Sequence, residues 1–266
     1  MSVARIDARF AALREAGRKA LVGYLTAGDP APAHTPGQMH ALVAGGVDVI
    51  ELGLPFSDPE AEGPSIQAAC ERALAAGTGI EDCLQVVRRF RERDRDTPVV
   101  LMGYLNMAEW WGYDRFAKAV AAADADGCLF VNLPPEEGVC LGRALEDQGL
   151  AHVFLLAPTT EPERVDRILS ATTGFAYYVS LKGTTGAGHI DPEAVARRLD
   201  EIRGRSSVPL AVGFGIRTPE TATALAAHAD GIVVGSAIVD LIGEHGAEAD
   251  GGASHLEALA GAFRRA

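Results

Sequence analysis

Four acidic residues lie close together in the segment ELGLPFSDPEAEGPSIQ, which spans residues 51–67. Glu51 lies near the end of an apolar run, VDVIELGLP, and Asp58, Glu60 and Glu62 follow in a segment rich in Pro and Gly. A carboxyl group in a partly apolar setting has a raised pKa and can both donate and accept protons near neutral pH. The segment is therefore a candidate for acid–base catalysis, although acidic loops also occur for solubility alone.

Two short glycine motifs near the C-terminus could bind a phosphate group. GFGI (213–216) and VGSAI (234–238) each follow an apolar run, and the second leads directly into a helical pattern. Backbone N–H groups at a helix N-terminus bind a phosphate dianion, and glycine lets the backbone approach it closely. Either motif could be a simple tight turn, but their occurrence after two consecutive apolar runs favours a phosphate site. A third glycine-rich segment, SLKGTTGAGHID (180–191), is long enough to act as a lid.

Eight apolar runs are the predicted strands that would position these groups. They are ALVGYLTAG (20–28), VDVIELGLP (47–55), PVVLMGYLN (98–106), GCLFVNLP (127–134), AHVFLLAP (151–158), GFAYYVSL (174–181), PLAVGFGI (209–216) and DGIVVGSAI (230–238). Their hydrophobicity is nearly continuous, which indicates parallel strands covered on both faces, and amphipathic segments separate them. We predict the α/β class, with residues 1–266 forming a single (β/α)8 TIM barrel and residues 2–16 an extra N-terminal helix at its bottom.

Composition excludes several classes of function. The chain has 24 basic and 36 acidic residues, a net charge of −12, so nucleic acid and anionic membranes are not expected partners. No apolar run is long enough to span a membrane, and the N-terminus lacks the apolar core of a signal peptide. The four cysteines have no metal-binding spacing and are predicted to be buried thiols, and we expect a cytoplasmic protein.

The order and spacing of these motifs resemble the tryptophan synthase alpha subunit family. The resemblance covers nearly the whole chain and is carried by YLTAGDP, ELGLPFSDP, GPSIQ, LMGYLN, YYVSLKGTTGAG, VGFGI and VGSAIV. ELGLPFSDP followed by GPSIQ is the most specific part, because other phosphate-binding barrels share only the glycine motifs. The resemblance implies a carbon–carbon lyase that splits indole-3-glycerol phosphate into indole and glyceraldehyde 3-phosphate by a retro-aldol reaction.

The resemblance also implies roles for individual residues. Glu51 would shuttle protons between indole C3 and the glycerol hydroxyl, and Glu62 would bind the indole nitrogen. Tyr177 and Thr185 would line the site and hold the second carboxylate. The predicted phosphate site comprises Gly186, Phe214, Gly215, Gly235 and Ser236. The predicted apolar slot for the indole ring comprises Tyr24, Ile66, Met102, Leu129 and Leu155.

Three positions depart from the family pattern. The family has an aspartate, in the pattern PxADGP, where this chain has Glu62 in PEAEGP (59–64). The acid is retained but reaches farther by one methylene, and we expect the neighbouring Glu60 to face solvent. Asn132 replaces a usual aspartate and Met107 a common proline, and the loss of a carboxylate at Asn132 is expected to weaken charge contacts between loops.

The resemblance implies a partner as well. The alpha subunit joins a beta subunit in an α2β2 tetramer, and indole passes directly to that subunit to make L-tryptophan. Pro55 and Asp58 are predicted to lie at this interface. No cofactor is expected in this chain, since pyridoxal phosphate would belong to the beta subunit.

Two alternatives to an active lyase remain open from the residues alone. The first is a catalytically weakened alpha-like subunit that binds substrate and activates the beta subunit. The second is another phosphate-binding barrel enzyme, such as a sugar-phosphate isomerase.

Overall fold

The computed structural model describes residues 2–180, 192–213 and 215–265. Within these residues nine parallel strands form one sheet, in the order β5-β4-β3-β2-β1-β9-β8-β7-β6. The strands are β1 (Ala20–Thr26), β2 (Val49–Gly53), β3 (Val99–Gly103), β4 (Gly127–Phe130), β5 (Ala151–Val153), β6 (Leu155–Leu156), β7 (Ala176–Val179), β8 (Leu210–Gly213) and β9 (Gly231–Val234).

The sheet closes into a barrel at its fifth predicted strand. That run is divided into β5 and β6 at Phe154, and these two pieces are the first and last strands of the sheet. The run changes neighbours at the division, since β5 pairs with β4 and β6 pairs with β7. The Tyr177 N–H donates to the Phe154 carbonyl and the Thr173 N–H donates to the His152 carbonyl, so the β7 side bonds to both parts of the run. Apart from this division, the eight predicted strands and the barrel fold are confirmed.

Twelve helices are seen in the described part of the chain, and most of them cover the barrel. They are α1 (Ser2–Glu15), α2 (Thr35–Ala44), α3 (Pro64–Ala75), α4 (Ile80–Arg91), α5 (Leu105–Trp111), α6 (Tyr113–Ala122), α7 (Val139–Asp147), α8 (Pro162–Ala171), α9 (Pro192–Arg203), α10 (Pro219–Ala226), α11 (Ser236–His245) and α12 (Ala253–Arg265). None of the described helices is long and apolar enough to cross a lipid bilayer.

Side chains on the strands divide between two apolar cores. Along β2, Ile50 and Leu52 face the surrounding helices, whereas Val49 and Glu51 alternate with them and face the barrel interior. The interior core is closed at one end by α1, which buries Ile6 and Phe10 against it. This is the position predicted for the extra N-terminal helix.

At this closed end, aspartates form hydrogen bonds at the starts of three strands. Asp48, Asp126 and Asp230 each precede a strand directly and form two hydrogen bonds with one residue of the neighbouring chain segment. In each pair the aspartate backbone N–H donates to a carbonyl, and the aspartate carboxylate accepts the N–H of that same residue. The paired residues are Leu21, Val99 and Leu210.

Asp126 carries the largest of these networks. Its carboxylate is fully buried and accepts hydrogen bonds from Arg5, from Arg91 at 2.8 Å and from the Val99 N–H at 2.7 Å. Arg91 is itself buried, so the carboxylate neutralises a guanidinium group that lies away from water.

The prediction of four buried thiols is confirmed for three of them. Cys70, Cys83 and Cys128 are buried and free, whereas Cys140 is free but exposed. Cys140 lies on α7, whose buried face is formed by Leu141, Ala144 and Leu145, so its position in the helix turns it toward solvent.

Replacing Asp126 by Ala is expected to lower the free energy of unfolding by about 3 kcal/mol, because the buried Arg91 guanidinium loses its closest carboxylate and keeps only longer contacts, to Asp124 at 3.6 Å and to Asp94 at 4.0 Å. Urea denaturation measures the change. Glu81→Ala is the matched control, since it removes an exposed ion pair with Arg88 and should change stability little. Equal decreases in the free energy of unfolding in the two variants would show that the buried network stabilises the protein no more than an exposed ion pair does.

Candidate active site

Glu51 lies in the barrel interior, near the carboxyl end of β2. It is buried, and its Oε1 atom has no hydrogen-bond partner among the described residues. Burial raises its pKa to about 8, with a further contribution from the negative charge of Glu62. A carboxyl group in this state holds a proton near neutral pH and can release it during a reaction.

Glu62 reaches the same site from the loop between β2 and α3. Its side chain is buried, its Oε2 atom has no partner in the described residues, and burial raises its pKa to about 7. Glu60, two residues earlier, is exposed, as expected from the sequence. The longer acid at position 62 is therefore accommodated with its carboxyl group inside the protein.

Tyr104 holds the loop that carries Glu62. Its hydroxyl accepts a hydrogen bond of 2.9 Å from the Ala61 N–H, and its ring stacks on Phe56 with centroids 4.8 Å apart. The loop is also fixed from α3, since the Gln67 side-chain amide donates to the Glu62 carbonyl at 2.9 Å. The sequence places Tyr104 at a strand end, but no local pattern predicts that it binds a backbone group 43 positions away.

Two tyrosines lie across glycines of neighbouring strands at the same end of the barrel. A Cβ atom on Gly53 would lie 2.2 Å from the Tyr24 hydroxyl, and one on Gly213 would lie 2.4 Å from the Tyr177 hydroxyl. The Tyr24 hydroxyl is 3.3 Å from the Thr26 Oγ1 atom. Burial raises the pKa of both phenols well above the ordinary range, so both remain protonated.

These side chains line one cavity, which encloses about 380 Å³ of space including its solvent-filled mouth. Its lining residues are Tyr24, Glu51, Glu62, Ile66, Met102, Tyr177, Gly215, Ile216, Val233, Gly235 and Ser236. Ile216 and Val233 are additions to the predicted set. Leu129 and Leu155 belong to the interior core but do not line this cavity.

The cavity wall opposite the acidic loop is mostly backbone. Gly215 has a φ of +79°, a left-handed conformation that favours glycine, and Gly235 directly precedes α11. No described side chain caps this helix, and the Ile238 N–H already donates to the Gly235 carbonyl, so the N–H groups of Ser236 and Ala237 are the ones open to an anion. The described lining residues include neither Lys nor Arg, so among them the backbone N–H groups are the candidate donors to a phosphate.

Some predicted site residues are not placed in the cavity. Thr185, Gly186 and Phe214 lie outside the described residues. Of the two predicted interface residues, Asp58 is exposed and Pro55 is buried. The Asp58 carboxylate accepts a hydrogen bond of 2.6 Å from the Ser57 hydroxyl.

Known proteins have a similar fold and a similar sequence. The sequence profile of the family described as "Tryptophan synthase alpha chain" matches residues 10–266. The chain belongs to this family.

Named relatives are similar over nearly their full length. The tryptophan synthase alpha chain of Halorhodospira halophila is 55% identical over 93% of this chain and 91% of its own. That of Thioalkalivibrio sulfidiphilus is 52% identical over 99% of both chains. The crystal structure of the alpha subunit from Legionella pneumophila str. Paris is 43% identical with a TM-score of 0.89, covering 98% of this chain and 97% of that one. Membership confirms the predicted family, its lyase class and its place in tryptophan biosynthesis.

The two other departures from the family pattern both lie near β3. The Asn132 side-chain oxygen accepts a hydrogen bond of 2.8 Å from the Leu105 N–H at the start of α5, so the contact between these loops persists without a charge. The Met107 sulfur lies beside Gly103, where a Cβ atom would approach it to 3.3 Å.

Replacing Gly53 by Ala is expected to push the Tyr24 phenol into the cavity. One carbon more or less in a tight pocket changes kcat/KM by about tenfold or more. We therefore expect kcat/KM for indole release to fall by at least about tenfold. The three nearest atoms to the new methyl group all belong to Tyr24, so the change is local.

Gly37→Ala is the control for this substitution. Gly37 lies within α2 and has open space around its Cβ position, so alanine should stabilise the helix slightly and leave activity unchanged. Full activity in the Gly53→Ala variant, with an unchanged unfolding midpoint, would contradict the prediction.

Proposed function

We propose that this chain cleaves indole-3-glycerol phosphate to indole and glyceraldehyde 3-phosphate by acid–base catalysis. One observation carries the proposal. Within the described parts of the chain, two buried carboxyl groups with unpartnered oxygen atoms line the same cavity as a helix N-terminus that no side chain caps. The reaction needs protons moved at one end of its substrate and a phosphate held at the other, which is the division of chemistry found here.

Glu51 acts as the proton shuttle in this proposal. With a pKa of about 8 it is mostly protonated at neutral pH, so it can donate a proton to indole C3. The resulting carboxylate can accept the proton of the glycerol hydroxyl as the C–C bond breaks. Its lack of a hydrogen-bond partner among the described residues leaves its Oε1 atom available for both transfers.

Glu62 acts on the indole nitrogen. With a pKa of about 7 it is partly ionised at neutral pH and can accept the hydrogen bond of the indole N–H. This contact stabilises the ring as C3 is protonated. Tyr104 and Gln67 hold the backbone on either side of Glu62, which limits the freedom of its longer side chain.

The remaining lining residues bind the substrate. The side chains of Tyr24, Ile66, Met102 and Tyr177 supply an apolar slot for the indole ring, and Gly215, Gly235 and Ser236 bind the phosphate. Thr185, Gly186 and Phe214 join these contacts in the proposal by their match to the family motifs.

A beta subunit is the partner implied by family membership. We place the α2β2 assembly, the transfer of indole to that subunit and a cytoplasmic location within the same proposal. Pro55 and Asp58 are the interface residues in this proposal, Asp58 exposed and Pro55 buried in the chain alone. The reaction proposed for this chain uses no cofactor of its own, and pyridoxal phosphate belongs to the beta subunit.

A weakened alpha-like subunit remains the second candidate because of Glu62. The buried position of its carboxyl group in the cavity favours the active lyase instead. A sugar-phosphate isomerase is disfavoured by family membership.

Glu51→Gln is expected to lower kcat for indole release by about 10²–10⁴-fold, since glutamine cannot transfer the proton.

In the parent chain kcat/KM should follow a bell-shaped pH profile. It falls above about pH 8 as Glu51 loses its proton and below about pH 7 as Glu62 becomes protonated. The two carboxyl groups interact, so the apparent values belong to the pair.

Glu60→Gln serves as the control for the acidic loop, because Glu60 is exposed and should not contribute to catalysis. Retention of the lyase rate in Glu51→Gln would refute the proposed role. The absence of indole release by the parent chain, with or without a beta subunit, would refute the lyase function.

Glu62→Asp separates the active lyase from the weakened subunit. Because Glu62 already extends its carboxyl group into the cavity, shortening it by one methylene withdraws that group by about 1 Å and should lower kcat/KM by on the order of a hundredfold. A gain of about a hundredfold, measured with purified chain and indole-3-glycerol phosphate, would instead show that glutamate impairs the reaction.

A further inference from the structure

A cluster of metal-binding side chains lies at the end of α11 remote from the cavity. His245 is the last residue of α11, Glu248 is in the following loop, and His255 is in the first turn of α12. One potential ligand atom from each residue lies within 4.8 Å of the other two. His245 and Ser236 are separated by about 14 Å along the helix axis, at 1.5 Å per residue.

A single carboxylate joins the two imidazoles. The His245 Nδ1 atom is 2.7 Å from the Glu248 Oε1 atom, and the His255 Nε2 atom is 3.5 Å from the Glu248 Oε2 atom. The two rings stack with centroids 3.8 Å apart and planes inclined by 14°. Three potential metal ligands, from α11, α12 and the loop between them, therefore lie close together at the surface.

The donor set selects the class of ion. Two imidazole nitrogens and one carboxylate oxygen suit zinc and other late divalent transition metals, whereas Mg²⁺ and Ca²⁺ prefer oxygen ligands alone. Zinc also has no strong geometric preference and readily keeps water as a fourth ligand.

The side chains can adjust to an ion. Nitrogen lone pairs lie in the ring planes, so the nearly parallel rings must tilt toward each other to share one metal. His245 and His255 are 31% and 43% exposed, which leaves both rings room to turn. The surroundings are acidic, because the Glu244 carboxylate lies 4.0 Å from the His245 ring and the chain carries a net charge of −12.

We propose that His245, Glu248 and His255 form a surface site for a divalent transition metal, with zinc as the preferred ion. The ion would fasten the end of α11 to the start of α12 across the 246–252 loop. The site is separate from the cavity and does not depend on the function proposed for it.

The test is zinc titration of the untagged, chelator-treated chain by calorimetry, with Mg²⁺ as a second probe. We expect one zinc ion per chain, a raised unfolding midpoint with zinc and no effect of Mg²⁺. His255→Ala and Glu248→Gln should each weaken zinc binding by at least about tenfold. Co²⁺ should give a visible absorption spectrum that His255→Ala abolishes.

Two matched variants exclude other sources of binding. His228→Ala removes a surface histidine that pairs with Asp200 alone, and Cys140→Ser removes the exposed thiol. Both should bind zinc like the parent chain, and circular dichroism shows whether each variant is folded. The absence of zinc binding, its persistence in His255→Ala and Glu248→Gln, or its loss in Cys140→Ser would overturn the proposal.

Discussion

The burial of the Glu51 carboxyl group without a hydrogen-bond partner in the described structure is the constraint on which the site depends. An isolated carboxylate is expensive to bury, so the group retains its proton to a higher pH than it would in water. The surrounding features preserve that condition. Tyr24 and Tyr177 line the cavity with their rings against Gly53 and Gly213, and Glu62 lines it from the loop after β2.

The opposite end of the barrel satisfies its polar groups instead. Asp48, Asp126 and Asp230 accept backbone N–H groups at the strand starts, and arginines neutralise each of these carboxylates. The strands thus run from an end where carboxylates are paired with arginines to an end where Glu51 and Glu62 each have an oxygen atom without a partner among the described residues. The unfavourable burial of unpaired acids is therefore confined to the site, and the paired carboxylates at the other end stabilise the fold.

The sequence predicted much of this arrangement because the main signals are local. Eight apolar runs located the strands, and the order of parallel strands then placed Glu51, Glu62 and the two glycine motifs at one end. The division of the fifth strand at Phe154 was not predicted, since AHVFLLAP is continuously apolar. The contact of Tyr104 with Ala61 and the clearance that Gly53 gives Tyr24 were also missed. Both join residues distant in sequence, and their geometry exists only after the strands have paired. The roles of Thr185, Gly186 and Phe214 stay predictions.

The division at Phe154 has a consequence for how the barrel opens. The chain is continuous through Phe154, so the short pairing is the one between this fifth run and β7, where β6 and β7 have two residue pairs in register and the His152 and Phe154 carbonyls accept further bonds from that side. Strands with few ladder bonds are the first to release their amides in local opening. Amide hydrogens donated across this seam, at Thr173 and Tyr177, should therefore exchange with solvent sooner than those between β1 and β2, where five residue pairs are in register. The barrel is closed in its average structure, and we expect this seam to separate before the ladder between β1 and β2 does.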